Sequence, residues 1–186
     1  MAEPARAMEN AARFEQAVLP HMDAAYNLAR WLVRNPQDAE DIVQESYLRA
    51  YKFWSGFQGG DSRAWLLKIV RNTSYTFLEK SRPASQSEEF DEKIHSSAPA
   101  APAAPDVEAS MIRTVESRMM REALEELPVN FREILVLREL EELSYKQISE
   151  MLEVPIGTVM SSLARGRERL REILLRLRAK EGTRGM

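Results

Sequence analysis

The 186-residue chain contains no cysteine and only two histidines, His21 and His95. The absence of cysteine excludes disulfides, thiolate zinc sites and cysteine nucleophiles, and two isolated histidines argue against other metal chemistry. No apolar run approaches the ~18 residues that cross a bilayer, so we expect no membrane insertion. The N-terminus has no basic stretch followed by an apolar one, which leads us to expect a cytoplasmic protein. We expect no cofactor.

Charge is distributed unevenly along the chain. The net charge is only −3, yet residues 85–126 carry ten acidic and four basic side chains. Residues 143–186 carry nine basic and five acidic ones. Local charge indicates partners better than the average does, so we expect the two parts to face different partners.

Apolar residues recur at helical spacing, and strand alternation is nowhere convincing. Residues 81–110 interrupt the pattern with alanine, proline, serine and acidic residues, a composition typical of a flexible linker. We therefore predict an all-α protein with two small helical domains, at residues 10–82 and 113–180, joined by a flexible linker over 83–112.

The stretch LSYKQISEMLEVPIGTVMSSLARGRERLRE in the second part fits a helix, a tight turn and a second helix. Ser144 is placed to cap the first helix and Thr158 the second. In the second helix Val159 and Leu163 can face a core. The outward positions are then Met160, Ser161, Ser162, Arg165, Arg167 and Arg169.

This layout is that of a helix-turn-helix, whose second helix enters the major groove of DNA. Small side chains permit close approach, and arginines bind phosphates or guanine edges. The alternative is a solvated basic helix held by pairs such as Glu168 with Arg171. The capped helix and the proline-glycine turn favour DNA binding, because a plain surface helix does not require them.

In the first part, DAEDIVQESYLRAYKFW places Asp38, Asp41 and Glu45 along one side of a helix, with Gln44 adjacent. Asp38 is placed to cap that helix, and Asp61 or Ser62 the next one. Taken alone, the acidic side is explained as a solvated helix end stabilised by the helix dipole.

FWSGFQGGDSRAWLLKIVRNTSY then interleaves aromatic and basic residues, which suits single-stranded nucleic acid. Most of these rings must be core. We expect packing for Phe53 and Trp65, and exposure for Phe57 beside the glycine pair.

With both blocks in this order, the chain resembles the extracytoplasmic-function sigma factors, the smallest class of the sigma-70 family of bacterial transcription initiation factors. Residues 10–82 resemble the family's domain 2, through DAEDIVQESYLRAYK and GDSRAWLLKIVRN. Residues 115–178 resemble its domain 4, through LPVNFREILVLRELEELSYKQISEMLEVPIGTVMSSLARGRERL.

The resemblance implies a protein that is not an enzyme and that directs RNA polymerase to promoters. Its implied partners are core RNA polymerase, through the β′ clamp helices and the β flap, promoter DNA, and an anti-sigma factor that inactivates it until an environmental or stress signal. The polymerase-binding residues implied are Asp38, Asp41, Gln44 and Glu45. Those implied for the single-stranded −10 element are Phe57, Asp61, Ser62, Lys68, Arg71 and Asn72. Those for the −35 duplex are Thr158, Met160, Ser161, Ser162, Arg165, Arg167 and Arg169.

The chain departs from the family pattern at Met160 and Ser162, where many relatives carry basic residues, and at Thr76 and Glu79, where many carry Asp and Arg. Two alternatives remain open. One is a sigma-like decoy that sequesters an anti-sigma factor, although no receiver domain is present. The other is a simple helix-turn-helix regulator, which leaves the first block unexplained.

Overall fold

A computed structural model describes residues 3–81 and 107–184, and every regular element in these two stretches is helical. The predicted all-α fold is thereby confirmed. None of the described helices is long and apolar enough to cross a membrane. Most of the predicted linker, up to residue 106, lies outside the described residues. A helix begins at Val107, within the last positions of the predicted linker.

The first described stretch, here the N-terminal half, folds into four α-helices. These are α1 (Glu3–Val18), α2 (Met22–Val33), α3 (Pro36–Phe53) and α4 (Ser62–Lys80), with 3-10 turns at Leu19–His21 and Trp54–Gly56. Helices α2, α3 and α4 pack on one another. Their shared core includes Leu28, Leu66 and Leu67, which are fully buried. Apolar residues at helical spacing form this face, as the amphipathic pattern requires.

Side-chain caps determine where α3 and α4 begin. The Asn35 side chain accepts hydrogen bonds from the backbone N–H groups of the first turn, at 3.2 Å from that of Asp38. The prediction that Asp38 caps α3 is therefore wrong, because Asn35 precedes Pro36 and already fills that position. At α4, Asp61 is the cap and accepts from the N–H of Ala64 at 3.0 Å.

An aromatic corner follows α3. Phe53 is 59 % exposed and Trp54 only 8 %, so the prediction that Phe53 packs in the core is wrong. The α-helix ends at Phe53 and a 3-10 turn begins, which directs Trp54 inward against Phe14 at 5.5 Å between ring centroids. The loop to α4 then turns through Gly59 and Gly60, whose φ angles of 90° and 101° favour glycine.

The second described stretch, here the C-terminal half, contains four more α-helices. These are α5 (Val107–Glu126), α6 (Val129–Leu135), α7 (Tyr145–Leu152) and α8 (Ile156–Arg184), with a π-helical segment at Val136–Leu140. Helix α8 packs on α5, α6 and α7. Leu137, Ile148 and Val159 are fully buried at its centre.

The predicted cap at Ser144 is confirmed. Its hydroxyl accepts from the N–H of Gln147 at 3.2 Å, and the Gln147 side chain accepts from the N–H of Ser144 at 2.8 Å, which forms a capping box. Glu153, with φ 58°, ends α7 in a left-handed conformation. Helix α8 begins two residues before Thr158, so the prediction that Thr158 caps it is wrong. The Pro155 carbonyl accepts from the Thr158 N–H at 2.9 Å instead.

Candidate polymerase and nucleic-acid interfaces

The predicted polymerase-binding residues lie on the outward side of α3. Asp41, Gln44 and Glu45 are exposed, and Asp38 is partly buried at the start of the helix. Glu45 accepts a hydrogen bond from Arg49 Nε at 2.7 Å, one turn later. The intervals of three and four residues keep the carboxylates on one side. This arrangement makes an accessible acidic stripe, which can bind a cationic partner.

Leu48 extends the same stripe and was missed by sequence reasoning. It is 68 % exposed, although leucine is usually buried. Its position, three residues after Glu45 and seven after Asp41, was the signal that could have found it, because residues at these intervals share a helix face. The acidic stripe therefore ends in an exposed apolar side chain that a partner can cover.

The predicted −10 residues are grouped around the loop before α4 and the first three turns of that helix. Phe57 is partly buried rather than the most exposed ring, since it stacks on Trp54 at 5.0 Å and meets Trp65 at 5.0 Å. A cavity of about 500 Å³ opens beside these rings. Its lining includes Phe57, Trp65 and Lys68, and also Gln147, Glu150 and Met151 from α7.

The C-terminal half closes this cavity, because α7 lies against α4 and α6 against α2. We call this packing the closed arrangement. Three ion pairs cross it, each between a cation of α4 and a carboxylate of the C-terminal half. They are Arg63 Nη2 to Glu141 Oε2 at 2.5 Å, Lys68 Nζ to Glu153 Oε1 at 3.0 Å, and Arg71 Nε to Glu133 Oε1 at 2.7 Å.

Hydrogen bonds reinforce the closed arrangement. The Tyr75 hydroxyl donates to Glu133 Oε2 at 3.1 Å, and Gln147 Nε2 donates to Asp61 Oδ2. Among the described residues, Ser62 and Asn72 of the predicted −10 set make none of these ion pairs or hydrogen bonds. Ser62 Oγ lies 3.4 Å from His21 Nε2 within the N-terminal half, and Asn72 is exposed.

Burial dominates the electrostatics where the halves meet. It raises the pKa of Glu133, while the neighbouring Arg71 acts in the opposite direction. Burial likewise raises the pKa of Glu141. It lowers the pKa of Arg132 to about 9, with a further contribution from Arg34. At the exposed edge, a hydrogen bond from Lys68 lowers the pKa of Glu153. The contact therefore combines costly buried charges with one solvated pair.

The predicted −35 residues all lie on the first four turns of α8 but divide between two flanks. At about 100° per residue, five of them share one flank, and Met160 and Arg167 lie on the other. The five are Thr158, Ser161, Ser162, Arg165 and Arg169. Between the flanks, Val159 and Leu163 are buried, as predicted. All seven side chains are exposed except Ser162, which is partly buried.

Two of these three arginines have carboxylate neighbours. Arg167 Nη2 lies 2.6 Å from Glu139 Oε1, and Arg169 Nη1 lies 3.1 Å from Glu172 Oε2. Because all four side chains are about half exposed, these pairs contribute little and can exchange for phosphate. The pair expected of a solvated basic helix, Glu168 with Arg171, is present at 3.6 Å. Arg165, Arg167 and Arg169 nevertheless remain exposed and accessible to DNA.

The chain matches two protein-family models, Sigma-70 region 2 over residues 17–83 and Sigma-70 region 4 over residues 113–170. It is 32 % identical to the ECF RNA polymerase sigma factor SigE of Mycolicibacterium smegmatis, over 87 % of this chain and 61 % of that protein. It is 30 % identical to the ECF RNA polymerase sigma factor SigW of Bacillus subtilis, over 87 % of this chain and 88 % of that protein.

A solved structure with a similar fold is the sigma factor RpoE in complex with the anti-sigma factor NepR from Bartonella quintana. The two chains superpose with a TM-score of 0.69 at 27 % identity, over 87 % of this chain and 96 % of the other.

Proposed function

The chain belongs to the extracytoplasmic-function sigma factors of the sigma-70 family, and we propose that three of its surfaces carry the steps of transcription initiation. As an alternative sigma factor it directs core RNA polymerase to selected promoters. Helix α3 docks on polymerase, the α4 surface captures the melted −10 strand, and α8 reads the −35 duplex. Polymerase supplies the catalysis, so the chain itself is not an enzyme, and it works in the cytoplasm where polymerase is.

Polymerase docking uses the acidic stripe of α3. Asp41 and Glu45 offer carboxylates to cationic side chains, Gln44 adds hydrogen bonds, and the exposed Leu48 supplies apolar contact. Opposite charges across an interface speed association and fix its register. The β′ clamp helices are the proposed partner of this stripe, and the C-terminal half leans on the β flap.

Capture of the −10 strand uses the aromatic corner and α4. Unstacked bases gain about 1–3 kcal/mol each when they stack on aromatic side chains, and Phe57 and Trp65 line a cavity for this purpose. Lys68 and Arg71 are positioned to follow the backbone, and Asn72 can hydrogen-bond a base edge. Stacking and charge together offset part of the energy that melting costs.

The observation that carries the proposal is the C-terminal helix-turn-helix, in which a capped α7 precedes the exposed polar side of α8. Thr158 and Ser161 lie near the N-terminus of α8, where such helices approach base edges. Arg165 and Arg169 on one flank and Arg167 on the other can contact phosphates on the two sides of the groove.

The RpoE structure from Bartonella quintana contains an anti-sigma factor. Its similarity over most of the present chain supports the proposal that this protein also has an anti-sigma partner, which inactivates it until a stress or environmental signal arrives. A partner held across both halves would block the stripe of α3 and α8 together.

The test is in vitro transcription with core polymerase on a pool of genomic fragments. Wild type is compared with a double charge reversal on the stripe, Asp41→Lys with Glu45→Lys. The matched control is Glu9→Lys with Glu15→Lys, two exposed positions on α1 that change the charge equally. We expect promoter-specific transcripts with wild type and the control, and their loss with the stripe variant.

No transcripts from inhibitor-free wild type would refute the sigma activity and favour the decoy. Equal activity of both variants would instead refute docking through α3. The simple helix-turn-helix regulator would be favoured by a third result. In it, the chain stimulates transcription only at a palindromic site and does not assemble with core polymerase.

A further inference from the structure

The cations of α4 that the proposed function assigns to the −10 strand have carboxylate partners in the closed arrangement. Lys68 and Arg71 belong to that assignment, and Arg63 lies five residues before Lys68 on the same helix. The partners come from three separate places in the C-terminal half: Glu133 lies in α6, Glu141 just after the π-helical segment and Glu153 just after α7. Each of the three cations thus has its own carboxylate partner. The two halves therefore meet through a set of matched charges and not through a single ion pair.

A carboxylate and a phosphate present the same chemistry to a guanidinium or an ammonium group. Both are anions whose oxygens accept short, charge-assisted hydrogen bonds, and the distances here are 2.5–3.0 Å. The cavity beside Phe57 is closed by Gln147, Glu150 and Met151 of α7. A single strand cannot enter between α4 and α7 while these groups remain in place.

We propose that the C-terminal half is an internal competitor of the −10 strand, in which Glu133, Glu141 and Glu153 occupy the cations of α4 until the two halves separate. The inference rests on the proposed role of α4 in −10 binding. It assigns a second function to the half that reads the −35 element, namely to keep the free protein from binding single strands.

Unpaired polar atoms where the two halves meet destabilise the closed arrangement. Arg132 is 3 % exposed, and its Nε and Nη1 atoms have no hydrogen-bond partner within the part of the chain that the structure describes. Buried polar atoms without partners are costly, so separation of the halves recovers hydration. The closed arrangement is therefore a state that polymerase can open by binding each half separately.

The test measures opening and strand binding separately in the full chain. Since the chain has no cysteine, Ser55→Cys and Lys180→Cys, both at exposed positions, accept a donor and an acceptor dye that report the distance between the halves. Binding of a fluorescent non-template −10 oligonucleotide, from a promoter recovered in the transcription assay, is followed by anisotropy.

The variant designed to release the cations of α4, here the releasing variant, combines Glu133→Gln, Glu141→Gln and Glu153→Gln. The matched control is Glu116→Gln, Glu122→Gln and Glu168→Gln, at exposed positions of the same half.

We expect lower energy transfer in the releasing variant than in wild type and the control, and oligonucleotide binding tighter by about tenfold or more, because affinity scales with the open fraction. Added salt should also lower the energy transfer in the protein that keeps all three glutamates, because salt screens ion pairs. Glu153→Gln alone, at a largely exposed side chain, gives a smaller shift in both signals and does not depend on the fold tolerating the buried changes.

Unchanged transfer and unchanged binding in the releasing variant would overturn the proposal. So would lower transfer with no gain in binding, because the acids would then not compete with the strand. Transcription with core polymerase separates these failures from that of the proposed function. A releasing variant that still transcribes, with activity lost on Lys68→Glu, leaves α4 as the −10 surface and removes only the internal competitor.

Discussion

Gly166 lies near the middle of α8, buried against α6. A β-carbon at this position would lie 3.5 Å from side-chain atoms of Leu135 and Phe131, which is ordinary van der Waals contact. Glycine in a helix interior costs about 0.5–1 kcal/mol relative to alanine. Gly166→Ala should therefore increase the free energy of unfolding by about that amount. Gly166→Leu needs space that the α6 contact does not leave, so it should cost about 1–3 kcal/mol by overpacking.

The assay is urea and thermal unfolding followed by far-ultraviolet circular dichroism. A gain of that size raises the Tm of a small domain by roughly 2–8 °C. The matched control is Gly157, also on α8, where a β-carbon would meet nothing within 4 Å. Both Gly157→Ala and Gly157→Leu should be tolerated. A destabilising Gly166→Ala, or a Gly166→Leu as stable as Gly157→Leu, would refute the close packing that positions α8.

Two further outcomes are expected. Ser144→Ala should lower the free energy of unfolding of the C-terminal half by about 1 kcal/mol, because the capping box of α7 is lost, and an unchanged Tm would contradict that role. Arg165→Ala should reduce −35-dependent transcription by roughly five- to hundredfold if it contacts a base, whereas Arg178→Ala, beyond the reading surface, should not.

Local chemistry explains what could be predicted from the sequence. The capping box at Ser144, the turn that follows α7 and the buried Val159 and Leu163 depend on neighbours within a few residues, so spacing alone predicts them. The predictions that Asp38 and Thr158 cap their helices were wrong, because α3 begins directly after Asn35 and α8 directly after Pro155. The prediction for Phe53 was wrong because the backbone changes from α-helix to a 3-10 turn at Trp54. This change places Trp54, and not Phe53, in the core.

The closed arrangement could not be predicted, because it depends on residues distant in the sequence. Arg71 and Glu133 are separated by 62 positions, and Lys68 and Glu153 by 85. No local period encodes such a pairing. One signal was present, since Arg132 and Glu133 interrupt the apolar residues of FREILVL. A carboxylate in such a run needs a buried partner, but the pattern does not say that Arg71 supplies it.

The most direct test of the account follows melting itself. A promoter recovered from the genomic pool carries 2-aminopurine in the non-template strand of its −10 element, where fluorescence rises when the base unstacks. We predict a rise when this chain and core polymerase are both present, and none with either alone, because only the docked and opened chain exposes α4. A rise with the free chain alone would contradict the closed arrangement as a block, and no rise with both together would contradict the role in promoter melting.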